Sequence, residues 1–137
     1  MNESMTLAVT THVVGLGSGR QTPPTYLELS EPAVSARTLL AEHVRSEVNR
    51  TLDSREMSLA LHYMLASDLD ARPQPLREVN APSLDVANET ARAYAGLDQG
   101  RFLLMVDGLA VTDLDKPLVL TERSRIGFVR LLPLIAG

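Results

Sequence analysis

The chain has 137 residues, a hydrophobic fraction of 45% and a net charge of −4, which suits one domain with a substantial core and argues against nucleic acid as a main partner. No apolar run is long enough to cross a bilayer and the N-terminus lacks the pattern of a signal peptide, so no membrane attachment is expected. Cysteine is absent, which excludes disulfides, thiolate metal ligands and a cysteine nucleophile, and fits a cytoplasmic location.

The first part of the chain predicts a β-hairpin followed by a helix. Residues 6–14 are rich in β-branched side chains and residues 25–29 alternate, as is typical of strands. The glycines of residues 15–19 and the prolines after them predict a long hairpin loop. Ser35 predicts an N-cap, and an apolar stripe with a spacing of four predicts the helix after it. The stripe consists of Ala36, Leu39, Leu40, Val44 and Val48.

Residues 51–98 predict a largely helical insertion before the third main strand. The Leu- and Met-rich segment from Met57 to Leu69 favours a helix. Core packing is the default role of this segment, and a docking or self-assembly surface is the alternative. The prolines in residues 70–82 predict a loop.

Ser83 then predicts the N-cap of a second helix, which extends from Leu84 to about Leu97 and ends at Gly96 or Gly100. The face predicted for this helix carries Val86, Thr90, Ala91 and Tyr94.

The last part of the chain predicts three further strands. Residues 102–106 form a continuous apolar run, as in a buried central strand, and Asp107-Gly108 predicts a tight turn into a short strand at residues 109–111. Residues 112–124 are polar, and the final strand extends from Ile126 to about Leu132. The polar connection is expected to be held to the core by Leu114, Pro117, Leu118 and Leu120.

Nothing in the sequence forms a catalytic constellation. His12, His43 and His62 lack metal-ligand spacing and are expected to be ordinary surface or half-buried residues. Asp113 and Asp115 fit a solvated turn better than a cation site. The glycine loop lacks the helix start that a phosphate-binding loop needs. We therefore expect no enzyme activity, no metal site and no bound cofactor.

The C-terminal tail, residues 133–137, carries the most specific signal. Pro133 cannot donate a hydrogen bond to a sheet, so the residues after it are expected to project from a domain formed by residues 1–132. Gly137 has no Cβ, which suits passage through a narrow enzyme channel. Taken alone, the tail fits an ordinary strand terminus equally well.

The predicted order, strand, strand, helix, insertion, strand, short strand, strand and glycine tail, resembles the β-grasp fold of the ubiquitin-like proteins. Residues 102–108, Leu118, Leu120 and residues 129–137 resemble the close of the bacterial sulfur carriers for molybdopterin and thiamin. They also resemble the bacterial ubiquitin-like proteins encoded with activating and conjugating enzymes in anti-phage operons. The helix from Asp85 to Leu97, the residues 99–102 after it and residues 106–108 look closer to this second group.

The resemblance implies a protein modifier in which Gly137 reacts. An E1-like enzyme would adenylate this carboxylate with ATP, and an E2-like enzyme would transfer it to an amine of a target protein as an isopeptide. Leu134, Ile135 and Ala136 would be threaded through these enzymes and through a processing metallopeptidase. The family usually ends in Gly-Gly, so Ala136 departs from its pattern. A longer precursor trimmed at Gly137 is also compatible with the sequence.

The sequence contains a single lysine, Lys116, which with the N-terminal amine is the expected acceptor if copies are joined to each other. Two alternatives remain open. A sulfur carrier would carry a thiocarboxylate on Gly137. A non-conjugated β-grasp module would form homo-oligomers or bind partners through its sheet edges, and its tail would be inert.

Overall fold

The structure is a computed structural model that describes residues 4–15, 18–56, 58–65 and 84–131. In the described residues, four strands are followed by three helices and then by four more strands, which is an α+β arrangement. The strands are β1 (Met5–Gly15), β2 (Ser18–Gln21), β3 (Thr25–Leu29), β4 (Ala33–Ser35), β5 (Phe102–Val106), β6 (Leu109–Val111), β7 (Pro117–Val119) and β8 (Ile126–Leu131). The helices are α1 (Ala36–Ser54), α2 (Leu59–Leu65) and α3 (Val86–Asp98).

The main sheet is mixed, with the order β2-β1-β8-β5-β6 and with β3 also paired to β1. Strands β1 and β8 lie side by side and parallel, with Val9 opposite Ile126 and Val14 opposite Leu131. All other pairs in this sheet are antiparallel. A separate two-stranded sheet joins β4 to β7. This arrangement is compatible with a β-grasp-like fold.

The helices pack on one face of the main sheet, which is called the inner face below. Alternation places every second strand residue there, so Leu7, Leu104 and Phe128 join one core cluster with residues of all three helices. The predicted apolar stripe of α1 is confirmed, since its side chains have no solvent exposure. The opposite face is called the outer face, and no helix residue of this cluster within the described ranges lies there.

The first hairpin differs from its prediction. Strand β1 extends to Gly15, and Ser18 to Gln21 pair with it as β2, so much of the predicted glycine loop is strand. Residues 16 and 17 lie outside the described residues. The pairing interrupts at residues 22–24, after which β3 resumes along the same edge of β1. The two prolines there explain the interruption, because proline has no amide hydrogen for the ladder.

Helix α1 begins as predicted, with the Ser35 hydroxyl accepting a hydrogen bond from the amide of Thr38 at 3.1 Å. In the insertion, α2 is described as far as Leu65. Met57, the predicted loop at residues 70–82 and Ser83 lie outside the described residues. Helix α3 begins at Val86 with Asp85 as its N-cap, later than predicted. Its buried face also differs, because Ala91 is exposed whereas Glu89, Ala93, Gly96 and Leu97 are buried.

The C-terminus of helix α3 is closed by two backbone hydrogen bonds around Gly100. The amide of Gly100 donates to the Leu97 carbonyl at 3.1 Å, and that of Arg101 donates to the Gly96 carbonyl at 2.8 Å. Gly100 has a left-handed φ of 74°, a conformation that glycine adopts without a steric penalty. The helix therefore stops at Gly100 rather than at Gly96, and the chain turns directly into β5.

The predicted turn at Asp107-Gly108 is confirmed, with both residues at positive φ. The short strands β4 and β7 were not predicted, and Pro117 is exposed rather than packed on the core. Leu118 and Leu120 are buried as predicted. No helix in the described ranges has the length and apolar character needed to cross a membrane.

Candidate functional site

Strand β8, which leads into the C-terminal tail, lies in the middle of the main sheet between β1 and β5. Its inward positions are Ile126, Phe128 and Arg130, and all three are buried. Leu131, its last residue, is 49% exposed. The predicted site residues Leu134, Ile135, Ala136 and Gly137 lie outside the described residues. The described structure therefore shows how the strand before the tail is anchored.

Arg130 anchors β8 to the insertion. Its side chain is 1% exposed, and its Nη1 donates to the carbonyl of Met64 at 3.2 Å and to that of Tyr63 at 3.5 Å. Both carbonyls belong to the last described turn of α2. A guanidinium is a favourable partner for them, because a hydrogen bond with a charged donor is stronger than one between neutral groups.

A second arginine reaches the same end of α2 from α3. Nη2 of Arg92 donates to the carbonyl of Leu65 at 2.9 Å, and its Nη1 lies 3.2 Å from Oε2 of the buried Glu89. The last three carbonyls of α2 thus accept from two guanidinium groups that belong to different elements. We call this arrangement, with Arg92, Arg130 and the carbonyls of residues 63–65, the arginine clamp.

The other end of α2 is fixed by α1. The Ser58 hydroxyl accepts from the amide of Leu61 at 3.2 Å and donates to Oε2 of Glu47 at 2.6 Å. The Ser58 amide donates to Oγ1 of Thr51 at 3.0 Å. Glu47 and Thr51 are both buried and lie one helical turn apart on α1. Polar contacts therefore hold α2 at both ends, which compensates for its shortness.

His43 lies one turn before Glu47 and is buried, which corrects the prediction of a surface or half-buried residue. Its ring stacks on Phe128 of β8 with 4.7 Å between centroids. Burial lowers the pKa of His43 from 6.5 to about 4; the charge of Glu47 opposes this shift and that of Arg50 adds to it. His43 is consequently neutral at pH 7 and acts as an aromatic core residue.

The predicted acceptor Lys116 is exposed and lies directly before β7. Its backbone carbonyl accepts from the amide of Ala36 at 3.0 Å, which joins this connection to the start of α1. Nearby, Oδ1 of Asp113 accepts from the amide of Asp115 at 2.9 Å, and Asp115 pairs with Arg37 at 3.4 Å. These contacts fit the predicted solvated turn.

Within the described ranges, no three His, Cys, Asp or Glu side chains come together as metal ligands would. The burial of the charged residues Arg130, Glu47 and Glu89 was not predicted. A signal was present for two of them. Arg130 occupies an inward position by strict alternation from Phe128, and Glu47 falls on the α1 stripe between Val44 and Val48.

Comparison of the chain with protein-family models, with curated proteins and with solved structures finds no match.

Proposed function

We propose that the protein is a ubiquitin-like modifier with a β-grasp fold, activated at Gly137 and conjugated to amines of target proteins. The observation that supports this most is the position of β8. It lies parallel to β1 in the middle of the sheet, is anchored by Arg130, and leads directly into the tail. A tail that follows such a strand is held at its root by a rigid scaffold, as a substrate segment for other enzymes requires.

The chemistry that we propose takes place at the Gly137 carboxylate. A carboxylate oxygen attacks the α-phosphorus of ATP in the E1-like enzyme, which gives the acyl adenylate and releases pyrophosphate. A cysteine thiolate of that enzyme displaces AMP to form a thioester, and a second thiolate on the E2-like enzyme takes over the acyl group. A target amine then attacks the thioester carbonyl, forms the amide and releases the thiol.

In this proposal the chain is the substrate and the partner enzymes supply catalysis. Leu134, Ile135 and Ala136 form the segment that those enzymes and a processing metallopeptidase recognise. The methyl group of Ala136 requires a wider channel than a Gly-Gly ending does. The resemblance to modifiers of anti-phage operons supports extending the proposal to a cytoplasmic pathway in antiviral defence.

The proposal is tested by expressing the chain with an N-terminal affinity tag in its source cells and purifying it under denaturing conditions. We expect adducts heavier than the free chain that resist thiols, and none from a variant lacking Ala136 and Gly137. Reconstitution with the cognate E1-like and E2-like enzymes and ATP should give thiol-sensitive adducts on both enzymes. Absence of every adduct, or adducts that persist in the truncated variant, would refute conjugation through Gly137.

Intact mass of the free chain distinguishes the sulfur-carrier alternative, which predicts one sulfur in place of one oxygen at the terminus. Adducts between copies of the chain are expected to disappear when Lys116→Arg is combined with a blocked N-terminus. Lys116→Arg keeps the charge and removes the usual acceptor amine, so it is a matched control for the target adducts, which should remain.

A further inference from the structure

The outer face of the main sheet contains a groove of about 460 Å³ across β1, β8 and β5. Its floor is Gly127, which lies in register between Thr10 of β1 and Met105 of β5. His12 and Val129 form the next row of the sheet. Ser124, Arg125 and Gly108 close the end where β8 begins.

Gly127 adds no side chain to the floor of the groove. A Cβ built on Gly127 would lie 3.4 Å from Oγ1 of Thr10 and 3.6 Å from Cδ2 of His12, which are ordinary contact distances. An alanine would therefore fit this backbone and make the groove shallower at this point. Glycine in a strand interior weakens the sheet and often marks a place where another group approaches closely.

The lining combines apolar and hydrogen-bonding side chains. Met105, Val129 and Ala8 supply the apolar surface, whereas Thr10, His12 and Gln21 supply polar groups. Oγ1 of Thr10 and Nε2 of His12 lie 3.0 Å apart, so these two side chains support each other.

The charge of the lining differs from that of the whole chain. Among the residues that the structure describes, the groove is lined by Arg125 and by no carboxylate, although the chain has a net charge of −4. The nearby Asp107 uses its Oδ1 to accept the backbone amide of Arg125 at 2.8 Å, which holds the segment before β8 in place. The exposed Arg125 guanidinium at the end of the groove has the sign that attracts an anion.

From this charge complementarity we propose that the groove binds an acidic segment of a partner protein, with a carboxylate beside Arg125 and an apolar side chain above Gly127 and Met105. A peptide fits better than a small metabolite, because the groove is open along the sheet and small-molecule sites bury most of their ligand. The inference goes beyond the proposed modifier function and does not depend on conjugation.

The test uses the full ¹⁵N-labelled chain and an N-acetylated, C-amidated pentapeptide of alternating valine and glutamate. Titration followed by NMR should give saturable shifts at the amides of Thr10, Met105 and Gly127. The matched peptide with glutamine in place of glutamate should bind about tenfold more weakly, as expected for loss of a charge-assisted hydrogen bond. A third peptide, with lysine in place of glutamate, should not bind.

Two variants locate the site. Arg125→Glu should weaken binding of the glutamate peptide at least about tenfold, whereas Arg123→Glu, an exposed arginine two residues away and outside the lining, should leave binding unchanged. Gly127→Ala should weaken binding by filling the floor, and unchanged shifts elsewhere in its spectrum will show that the fold is intact.

Four outcomes would overturn the proposal. They are no saturable shift with the glutamate peptide, equal binding of the glutamine or lysine peptide, equal loss of binding in Arg123→Glu, and the same shifts from free acetate at equal concentration. The last outcome would identify a site for small anions instead of a protein segment. None of these outcomes bears on Gly137, so failure here leaves the conjugation experiments unaffected.

Discussion

The two faces of the main sheet use charged residues in opposite ways. On the inner face Arg130 is 1% exposed and Glu47 has no exposure, and both are hydrogen-bonded to parts of α2 or to Ser58 before it. On the outer face Arg125 borders an open groove whose described lining contains no carboxylate. The same strand supplies both faces, because β8 alternates between Phe128 and Arg130 inside and Gly127 and Val129 outside.

This difference shows where the molecule uses polar groups for position and where it leaves them accessible. Buried polar groups that lose their partners are costly, so the inner contacts fix α2 at one place on the sheet. Exposed polar groups contribute little to folding and stay available to a partner. Substitutions on the inner face should therefore change stability, and those on the outer face should change binding.

The largest effect is expected for Arg130→Ala. The change removes the donor to two carbonyls of α2 and leaves a cavity between β8 and the helix, so the free energy of unfolding should fall by about 3–5 kcal/mol. Denaturant unfolding measures the loss. Arg125→Ala on the outer face is the matched control and should change the free energy of unfolding by less than about 0.5 kcal/mol. Similar losses in the two variants would contradict the comparison of the faces.

The next largest effect is the dependence of stability on pH. The pKa of His43 is 6.5 in the unfolded chain and about 4 in the folded protein, so between these pH values the unfolded state binds one more proton. The contribution of neutral His43 to the free energy of unfolding should be fully present above pH 6.5 and should be lost as the pH falls toward 4. Its total size is roughly 3 kcal/mol.

Unfolding free energies of the wild type and of His43→Gln, measured from pH 4 to 7, isolate this contribution from that of the carboxylates. The difference between the two proteins should shrink as the pH falls, because the variant has no imidazole to protonate. Parallel pH profiles would show that the imidazole titrates alike in the folded and unfolded chains.

A smaller effect is expected for Glu47→Ala. The variant leaves the Ser58 hydroxyl without its carboxylate acceptor and weakens the N-terminal attachment of α2, at a cost of about 2 kcal/mol. Asp53→Ala, an exposed carboxylate on the same helix, is the control and should have little effect. A double-mutant cycle with Ser58→Ala should give a coupling of about 1 kcal/mol, and additive losses would show that the pair does not interact.

The elements with a strong local period were predictable from sequence. The apolar stripe of α1 and its Ser35 cap depend on residues within the same segment, as does the turn at Asp107-Gly108. The short strands β4 and β7 were not predictable, because each is only three residues long and pairs with a segment distant in sequence. Strand β2 was missed because Gly19 and the glycines before it suggested a loop, whereas pairing with β1 decides its conformation.

The candidate sites were predictable only in part. The sequence pointed to the tail, which lies outside the described residues, so its role stays a prediction. The arginine clamp was not predicted, because Arg92 and Arg130 meet the end of α2 only after three separate elements have packed. The groove likewise requires the register that places Gly127 between Thr10 and Met105. Such juxtapositions depend on tertiary structure and have no local signal.

The finest comparison of the two faces uses two glycines. A Cβ added to Gly96, on the buried side of α3, would lie 2.9 Å from Cε1 of Phe102, whose ring is 1% exposed and packs against Phe128. A Cβ on Gly127 would meet its nearest neighbour at 3.4 Å. Both positions have backbone angles open to alanine, since neither falls in the left-handed region.

Gly96→Ala should therefore lower the free energy of unfolding by about 1 kcal/mol, because overpacking against Phe102 outweighs the gain in helix propensity. Gly127→Ala should be neutral or slightly stabilising, because alanine reduces the freedom of the unfolded chain and fits the sheet. Thermal and denaturant unfolding of both variants measures these two changes in the free energy of unfolding. If Gly127→Ala were the more destabilising of the two, the outer groove would be a tightly packed part of the core and not a surface kept open for a partner.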